Sequence, residues 1–406
     1  MDEVRAGHGS LRLETDGALT ALDAAGLPAA AGSGLAADLT HAVLSGSPDA
    51  LKASVGELHV VRTALAAGEC LEETPVPVDM TNLSVVVGGD KIIKLVRQWS
   101  GADRSARLLA RLADAGVDSV PGYYGSLDWE HPEHGRGTLA LLSAVIPDAG
   151  DGWTWAVDDV VAWFRGGKAP EFPAALGRLA AEVHAALLAG GAHPAPGAAE
   201  VRARADGVLD VALALTGGDA GIRLSNRAGR IREQLAAVPE TAAPAFDLHG
   251  DLHVGQVLRS GEQYWLLDFD GDPQLPNAER DRPDSAARDV AHLAASLEMV
   301  ASVAAKRLQA ADEASLGRLY GWADEASVQL TGAYQLAAAE AGLPDLLDEA
   351  MLPGLIAEQL LRELIYAHRF LPRWQYAADG AITHRFARDS ARAPRTKEPA
   401  WTPPAL

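Results

Sequence analysis

Between His249 and Asp272 the chain reads HGDLHVGQVLRSGEQYWLLDFDGD, and this stretch narrows what the rest can build more than any other. Val257 and Leu258 open an extended run, Ser260-Gly261-Glu262 favours a turn, and Tyr264 to Leu267 is an apolar strand that ends at Asp268. The spacing predicts a short hairpin that brings Asp251 and Asp268 close in space. A carboxylate in a tight loop, an amide-bearing residue after it and further acids at the end of the next strand are what phosphoryl transfer requires. One group orients the attacking hydroxyl, and the others hold Mg²⁺ against nucleotide phosphates.

A calcium loop is the rival reading of these acids. Asp268, Asp270, Asp272 and Glu279 occupy its first, third, fifth and twelfth positions, but Pro273 stands where a glycine must make the sharp turn. The apolar run Trp265 to Leu267 before it also reads as strand, whereas that motif begins on a helix.

The motif resembles the catalytic loop and metal-binding acid of aminoglycoside phosphotransferases and related protein-kinase-fold small-molecule kinases. Within these it is most similar to the maltokinases and the maltokinase-like actinobacterial glucosamine kinases, where Gln replaces the usual metal-binding Asn, as Gln256 does here. The likeness continues through FDGDP, AERDRPDSAARDVA and RELIYAHRFLPRW, so it covers most of the chain from Thr81 on. It implies an α+β, bilobal, protein-kinase-like fold. Residues 1–75 would form an N-terminal cap, 76–146 the nucleotide-binding part of a β-rich lobe, and 147–406 a helical lobe. By the same resemblance Asp251 is the catalytic base, Gln256, Asp268 and Asp270 hold Mg²⁺, and Asp289 and His249 brace the catalytic loop.

Along the chain, SLRLETDG alternates Leu11 and Leu13 with polar neighbours and ends in an Asp16-Gly17 turn, a hairpin signal, and 57–63 is a further extended candidate. LSVVV, Gly88-Gly89-Asp90 and KIIKLV read as strand, turn, strand. Lys94 is either a strand lysine reaching solvent or the cation that meets nucleotide phosphates, and the base motif downstream favours the second. Thr81 and Asn82, which open the hairpin, resemble the polar phosphate-covering loop of the superfamily. No G-x-x-x-x-G-K loop occurs.

The next segment, 101–116, is an amphipathic helix with Leu108, Leu109, Leu112 and Ala113 on one face. The resemblance calls for a glutamate on it to pair with the strand lysine. Arg107 stands near that place instead, with Asp103 one turn earlier. Ser143, Ala144 and Val145 fall where a hinge would offer backbone groups to adenine, and Asp151 of the following Asp-Gly-Trp is either a nucleotide contact or a helix N-cap. His184 lies on the apolar side of a helix through Leu176, Leu179, Val183 and Leu187, where a satisfied core histidine is expected.

The helix Leu355 to Arg369 carries Gln359, Glu363 and Tyr366 at offsets of four and seven, a polar stripe beside its apolar side. In the resembling kinases this helix and the Trp after it close the sugar pocket, which makes Glu363, Tyr366 and Trp374 substrate candidates alongside Asp251. Maltokinases typically read YEAANRPDW where this chain reads YAHRFLPRW, so a different sugar is expected. The reading chosen is an ATP- and Mg²⁺-dependent kinase acting on the 6-hydroxyl of D-glucosamine, with Glu363 receiving the 2-ammonium. Its competitors are a maltokinase making maltose 1-phosphate, an aminoglycoside phosphotransferase and a nucleotide-binding pseudokinase.

Composition limits the partners. A net charge of −20 over 406 residues repels nucleic acid and suits a small-molecule, cationic sugar. No run of about twenty apolar residues predicts a membrane span, and MDEVRAGHGS lacks a secretory pattern, so the cytoplasm is the expected compartment. Cys70, the only cysteine, leaves no internal disulfide or thiolate cluster. Nothing in the chain sets an oligomeric state.

Overall fold

Leu11 and Leu13 point into a core, as their alternation requires, in a computed structural model that describes residues 2–62, 72–76, 83–99, 101, 103–387 and 399–404. The chain divides into two compact units, Met1–Ala149 with Trp265–Phe269, and Gly150–Tyr264 with Asp270–Leu406.

In the first unit β1 (Asp2–Ala6), β2 (Gly9–Leu13), β3 (Leu19–Asp23) and β4 (Lys52–Ala53) form an antiparallel sheet in the order β3-β2-β1-β4. The β2–β3 connection turns at Gly17, whose φ of 82° suits glycine, with the Asp16 carboxylate accepting the Ala18 N–H at 3.0 Å. Helix α1 (Leu35–Ser45) buries Leu35, Leu39 and Val43, one every fourth residue. Gly34 has no side chain to cap it. The Glu73 carboxylate does so instead, accepting the N–H groups of Gly32, Gly34 and Ala37.

A second antiparallel sheet holds β5 (Glu57–Arg62), β6 (Glu73–Pro75), β7 (Leu83–Val87), β8 (Lys91–Leu95), β9 (Tyr123–His131) and β10 (Gly135–Ala144), in the order β5-β9-β10-β8-β7-β6. It therefore takes strands from both sides of residue 75. Ile93, Leu95, Val85, Val87, Leu127, Trp129 and the run Leu139 to Leu142 fill its core. Because side chains alternate, burying Ile93 and Leu95 turns Lys94 to the other face, where it is 21% exposed. Helix α2 (Arg104–Asp114) buries Leu108 and Leu112 and is capped by Asp103, which accepts the Ala106 N–H.

The second unit is helical apart from short strands. It comprises α3 (Gly152–Phe164), α4 (Phe172–Leu188), α5 (Ala198–Leu215), α6 (Gly218–Ala236) and β11 (Ala245–Phe246), then the hairpin of β12 (Val257–Ser260) and β13 (Gln263–Leu266). After these come α7 (Asn277–Arg280), β14 (Asp284–Ser285), which pairs with β11, and α8 (Ala287–Leu308), α9 (Glu313–Glu340), α10 (Leu352–Phe370) and α11 (Gln375–Arg385). The end of the hairpin, Trp265–Phe269, groups with the first unit. Helix α8 is buried along nearly its whole length, and its many alanines let neighbouring helices approach. Gly177 does the same for α4 and α9: a Cβ there would meet the Leu330 carbonyl oxygen at 2.1 Å. No described helix is long and apolar enough to cross a membrane.

Candidate active site

The loop from His249 to Gln256 is held by one buried acid. Asp289, 1% exposed in the first turn of α8, accepts the His249 N–H at 2.8 Å on one oxygen and the Gly250 N–H at 2.9 Å on the other. Gly250 has φ 84°, a conformation that a side chain would strain. The Asp289 oxygen that meets His249 also contacts His184 Nε2 at 3.1 Å, and His184 Nδ1 lies 2.9 Å from the Tyr334 hydroxyl. Burial opposes the charge on Asp289, but His184, His249 and the Gly250 N–H outweigh it and hold the carboxyl below its ordinary range. His184 is thus a satisfied core histidine whose partner is the acid under the loop.

Within the loop, the Asp251 N–H donates to His249 Nδ1 at 3.2 Å, and His253 caps a single 3₁₀ turn, Val254–Gln256, by accepting the Gly255 N–H at 3.0 Å. The Val254 N–H donates to Ser296 of α8. Gly152, at the start of α3, lies so close under this turn that a Cβ would fall 1.7 Å from the Val254 oxygen. The turn presents Gln256, whose Nε2 donates to Asp251 at 3.3 Å, which leaves the amide oxygen as the atom suited to a cation.

Asp251 faces two imidazoles, with His253 Nε2 and His292 Nδ1 each 3.7 Å from one of its oxygens. Asp251, His253 and His292 each offer a possible metal-ligand atom within 4.8 Å of the others. The tautomers argue against a metal there. His253 Nδ1 accepts a backbone hydrogen, so its Nε2 carries the proton and turns a hydrogen, not a lone pair, toward Asp251. Burial raises the Asp251 pKa, yet the neighbouring imidazoles, His253 foremost and then His292 and His249, more than reverse this and hold it below its ordinary value.

His292 Nε2 lies 3.1 Å from Glu363 Oε1 on α10, and Gln359 Nε2 donates to the same oxygen at 2.9 Å. The offset of four in the polar stripe is therefore a hydrogen bond. Asp272, buried near Arg362 and within reach of the charge of Asp251, has its pKa raised, first by burial and then by that charge. Tyr366 is half-buried and feels Asp251, Glu363 and Asp272, which together with burial raise its own pKa. The Trp374 ring lies 5.8 Å from that of Trp153, and Trp153 lies 6.1 Å from His253. One helical unit thus connects three of the substrate candidates, Asp251, Glu363 and Tyr366, through contact or charge, and places Trp374 against a ring that neighbours the loop.

In the first unit Lys94 Nζ meets Asp268 Oδ1 at 2.9 Å. Asp268 follows β13 with φ 58°, in the left-handed region that Asp and Asn tolerate better than most residues. Arg104 of α2 donates to the Phe269 carbonyl at 2.5 Å and fixes the backbone beside it. Asp103 caps α2 through one oxygen, and the carboxylate seen against Lys94, that of Asp268, comes from the end of the hairpin.

Two of the groups expected to meet the nucleotide have partners within the protein. The Ala144 N–H already donates to the Gly122 carbonyl at 2.8 Å and the Val145 N–H to that of Asp90 at 2.9 Å, so neither is available to an adenine edge. Ser143 is paired in the sheet, opposite Ile92 and Tyr123. Asp151 is the N-cap of α3, accepting the Thr154 N–H at 3.1 Å, which is the structural alternative at that position. Thr81 and Asn82 lie outside the described residues.

The sequence reasoning missed His292, Asp272 and Arg104 as site residues. Only His292 carried a signal: it follows Asp289 by three residues, which puts both on one side of α8.

No family model matches the chain. It is 37% identical over 336 residues to a glucosamine kinase of Streptacidiphilus jiangxiensis, covering 80% of this chain and 76% of that protein. The chain belongs to the glucosamine kinase family. A second member, from Mycolicibacterium smegmatis, is 37% identical over 323 residues, covering 76% of this chain and 78% of that one. A solved glucosamine kinase holding glucosamine, ADP and inorganic phosphate matches with a TM-score of 0.78 at 32% identity, covering 95% of this chain and 93% of its own. The α+β, protein-kinase-like fold is that of the glucosamine kinase family.

Proposed function

We propose that this glucosamine kinase family member transfers the γ-phosphoryl group of ATP to the 6-hydroxyl of D-glucosamine. The 6-oxygen forms a bond to phosphorus as the bond to ADP breaks, and the hydroxyl proton passes to Asp251. The observation that carries the reading is the His292 contact to both Asp251 and Glu363, which ties a general base to a second carboxylate in the same unit. A glucosamine ring with its 6-hydroxyl at Asp251 has its ammonium to offer Glu363. Three acids, Asp251, Asp272 and Glu363, make the surroundings favourable to a cation, and Trp374 supplies an aromatic face for the ring.

Asp251 is suited to accept a hydrogen bond from the attacking hydroxyl because its neighbours keep it ionised. Lys94 is assigned to phosphate charge, for which it would exchange the Asp268 carboxylate for phosphate oxygens. Gln256, Asp268 and Asp270 are hard oxygen donors and fit Mg²⁺, which takes one or two carboxylates beside substrate phosphates. Bound there, the ion would neutralise charge developing on the transferred group. The cytoplasm is the compartment assigned.

The test is ATP consumption across glucosamine, glucose, maltose and aminoglycosides, with Asp251→Asn beside the wild type. Glucosamine should be the preferred acceptor, and the variant should lose about a hundredfold or more in turnover while still binding ADP. Unchanged turnover in the variant, or maltose as the preferred acceptor, overturns the assignment.

A further inference from the structure

An imidazole in the middle of a buried, alanine-rich helix needs a reason. His292 is 5% exposed on α8 and is faced by Asp251 and Asp272 from loops, by His253 at 5.1 Å between ring centroids, and by Glu363 from α10. Its two nitrogens point to different carboxylates, Nε2 to Glu363 at 3.1 Å and Nδ1 to Asp251 at 3.7 Å. A neutral imidazole can donate to only one of them, so it would set a nitrogen lone pair against the other carboxylate. A protonated ring donates to Glu363 and turns its second N–H toward Asp251 as an ion pair at 3.7 Å.

We propose that His292 is a positioning residue: as an imidazolium clamped between Asp251 and Glu363, it fixes the spacing of the base and the ammonium-binding acid and keeps both charged. The inference rests on the roles given to those two acids under the proposed function. Two carboxylates sharing a poorly solvated environment drive one of them to take a proton, and either loss is costly here. A protonated Asp251 cannot accept the hydroxyl proton, and a protonated Glu363 no longer attracts the sugar's ammonium. His292 is the group placed to prevent both.

The charge balance points the same way. Burial disfavours the protonated ring, but the Glu363 hydrogen bond and the charges of Asp251, Glu363 and Asp272 prevail and raise its pKa above the ordinary value. Partial burial works against the charge on Glu363 as well, yet its bond to His292 and the nearby imidazoles lower its pKa. The bridge therefore stays intact below the raised imidazole value and is lost as pH rises through it.

The experiment is an NMR titration of the ¹⁵N-histidine-labelled, sugar-free enzyme, with the His292 signals assigned by their absence from His292→Gln. His292 should titrate above about 6.5, the ordinary histidine value. Asp251→Asn and Glu363→Gln should each move it down. In steady state, His292→Gln should lower kcat and raise KM for glucosamine, each by roughly tenfold. Adding Glu363→Gln to it should raise KM little further, because the two act through one contact. A His292 that titrates at or below the ordinary value, or is unmoved by both variants, overturns the proposal; should His292→Gln fold poorly, His292→Asn supplies the assignment. Kinetic constants within twofold of wild type in a folded His292→Gln overturn it as well. If Asp251→Asn keeps its turnover, the proposed function fails first; if that variant is inactive while His292 titrates normally, only the bridge fails.

Discussion

Replacing Asp289 with Asn tests whether one buried charge organises the catalytic loop. The amide keeps the shape of the carboxylate but offers one accepting oxygen where the acid offers two, so its NH₂ must face either the Gly250 N–H or the His249 N–H together with His184. At least one backbone donor is orphaned, and the remaining bonds lose their charge assistance. Losing a charge-assisted bond costs about 1.5–3 kcal/mol, and breaking one side of a buried ionic network about 3–5 kcal/mol, so a loss of about 3 kcal/mol is expected. Urea unfolding should show it as a lower midpoint at unchanged slope. The Asp289 pKa is depressed in the folded state, so its contribution is complete above the unfolded carboxyl value near 3.8 and fades as pH falls through the lower folded value. The gap between wild type and variant should accordingly be flat from about pH 8 to about pH 5 and close only in stronger acid. A gap under about 0.5 kcal/mol at neutral pH, or one that closes on the alkaline side, would refute this reasoning.

Gly152→Ala should cost about 3 kcal/mol and lower turnover, because its Cβ would enter the Val254 oxygen and force aside the turn that carries Gln256. Gly229→Ala, on an exposed part of α6 with nothing within 4 Å, should instead stabilise by about 0.5–1 kcal/mol; thermal melts of the pair distinguish local collision from a general intolerance of alanine. Glu363→Gln should reduce kcat/KM for glucosamine by about thirtyfold, the worth of one charge-assisted hydrogen bond, and for glucose much less. Equal losses for both sugars in competition assays would remove Glu363 from amine recognition.

What the chain reveals by itself follows from the reach of each rule. Periodicity is local, so Lys94 opposite Ile93, the hairpin after Gln256 and the Gln359–Glu363 pair were all legible before any coordinates. The partner of Lys94 was not, because Asp268 lies 174 residues away and no spacing rule connects them. The state of the hinge backbone was hidden for a related reason: whether the N–H groups of Ala144 and Val145 are free depends on the Gly122 and Asp90 carbonyls, which come from other segments. The sequence pattern alone assigned His292 no role. Its chemistry is created by the packing of α8 beside α10 and the base loop, a tertiary fact with only a three-residue echo of Asp289 in the sequence.

The backbone at Asp268 has a practical consequence. A residue with φ 58° tolerates exchange of charge far better than exchange of shape, since asparagine accepts that conformation and β-branched side chains do not. Asparagine there would remove the negative charge while leaving the chain path undisturbed, so a silent variant of this acid can serve as a scaffold on which ligand occupancy is measured apart from turnover.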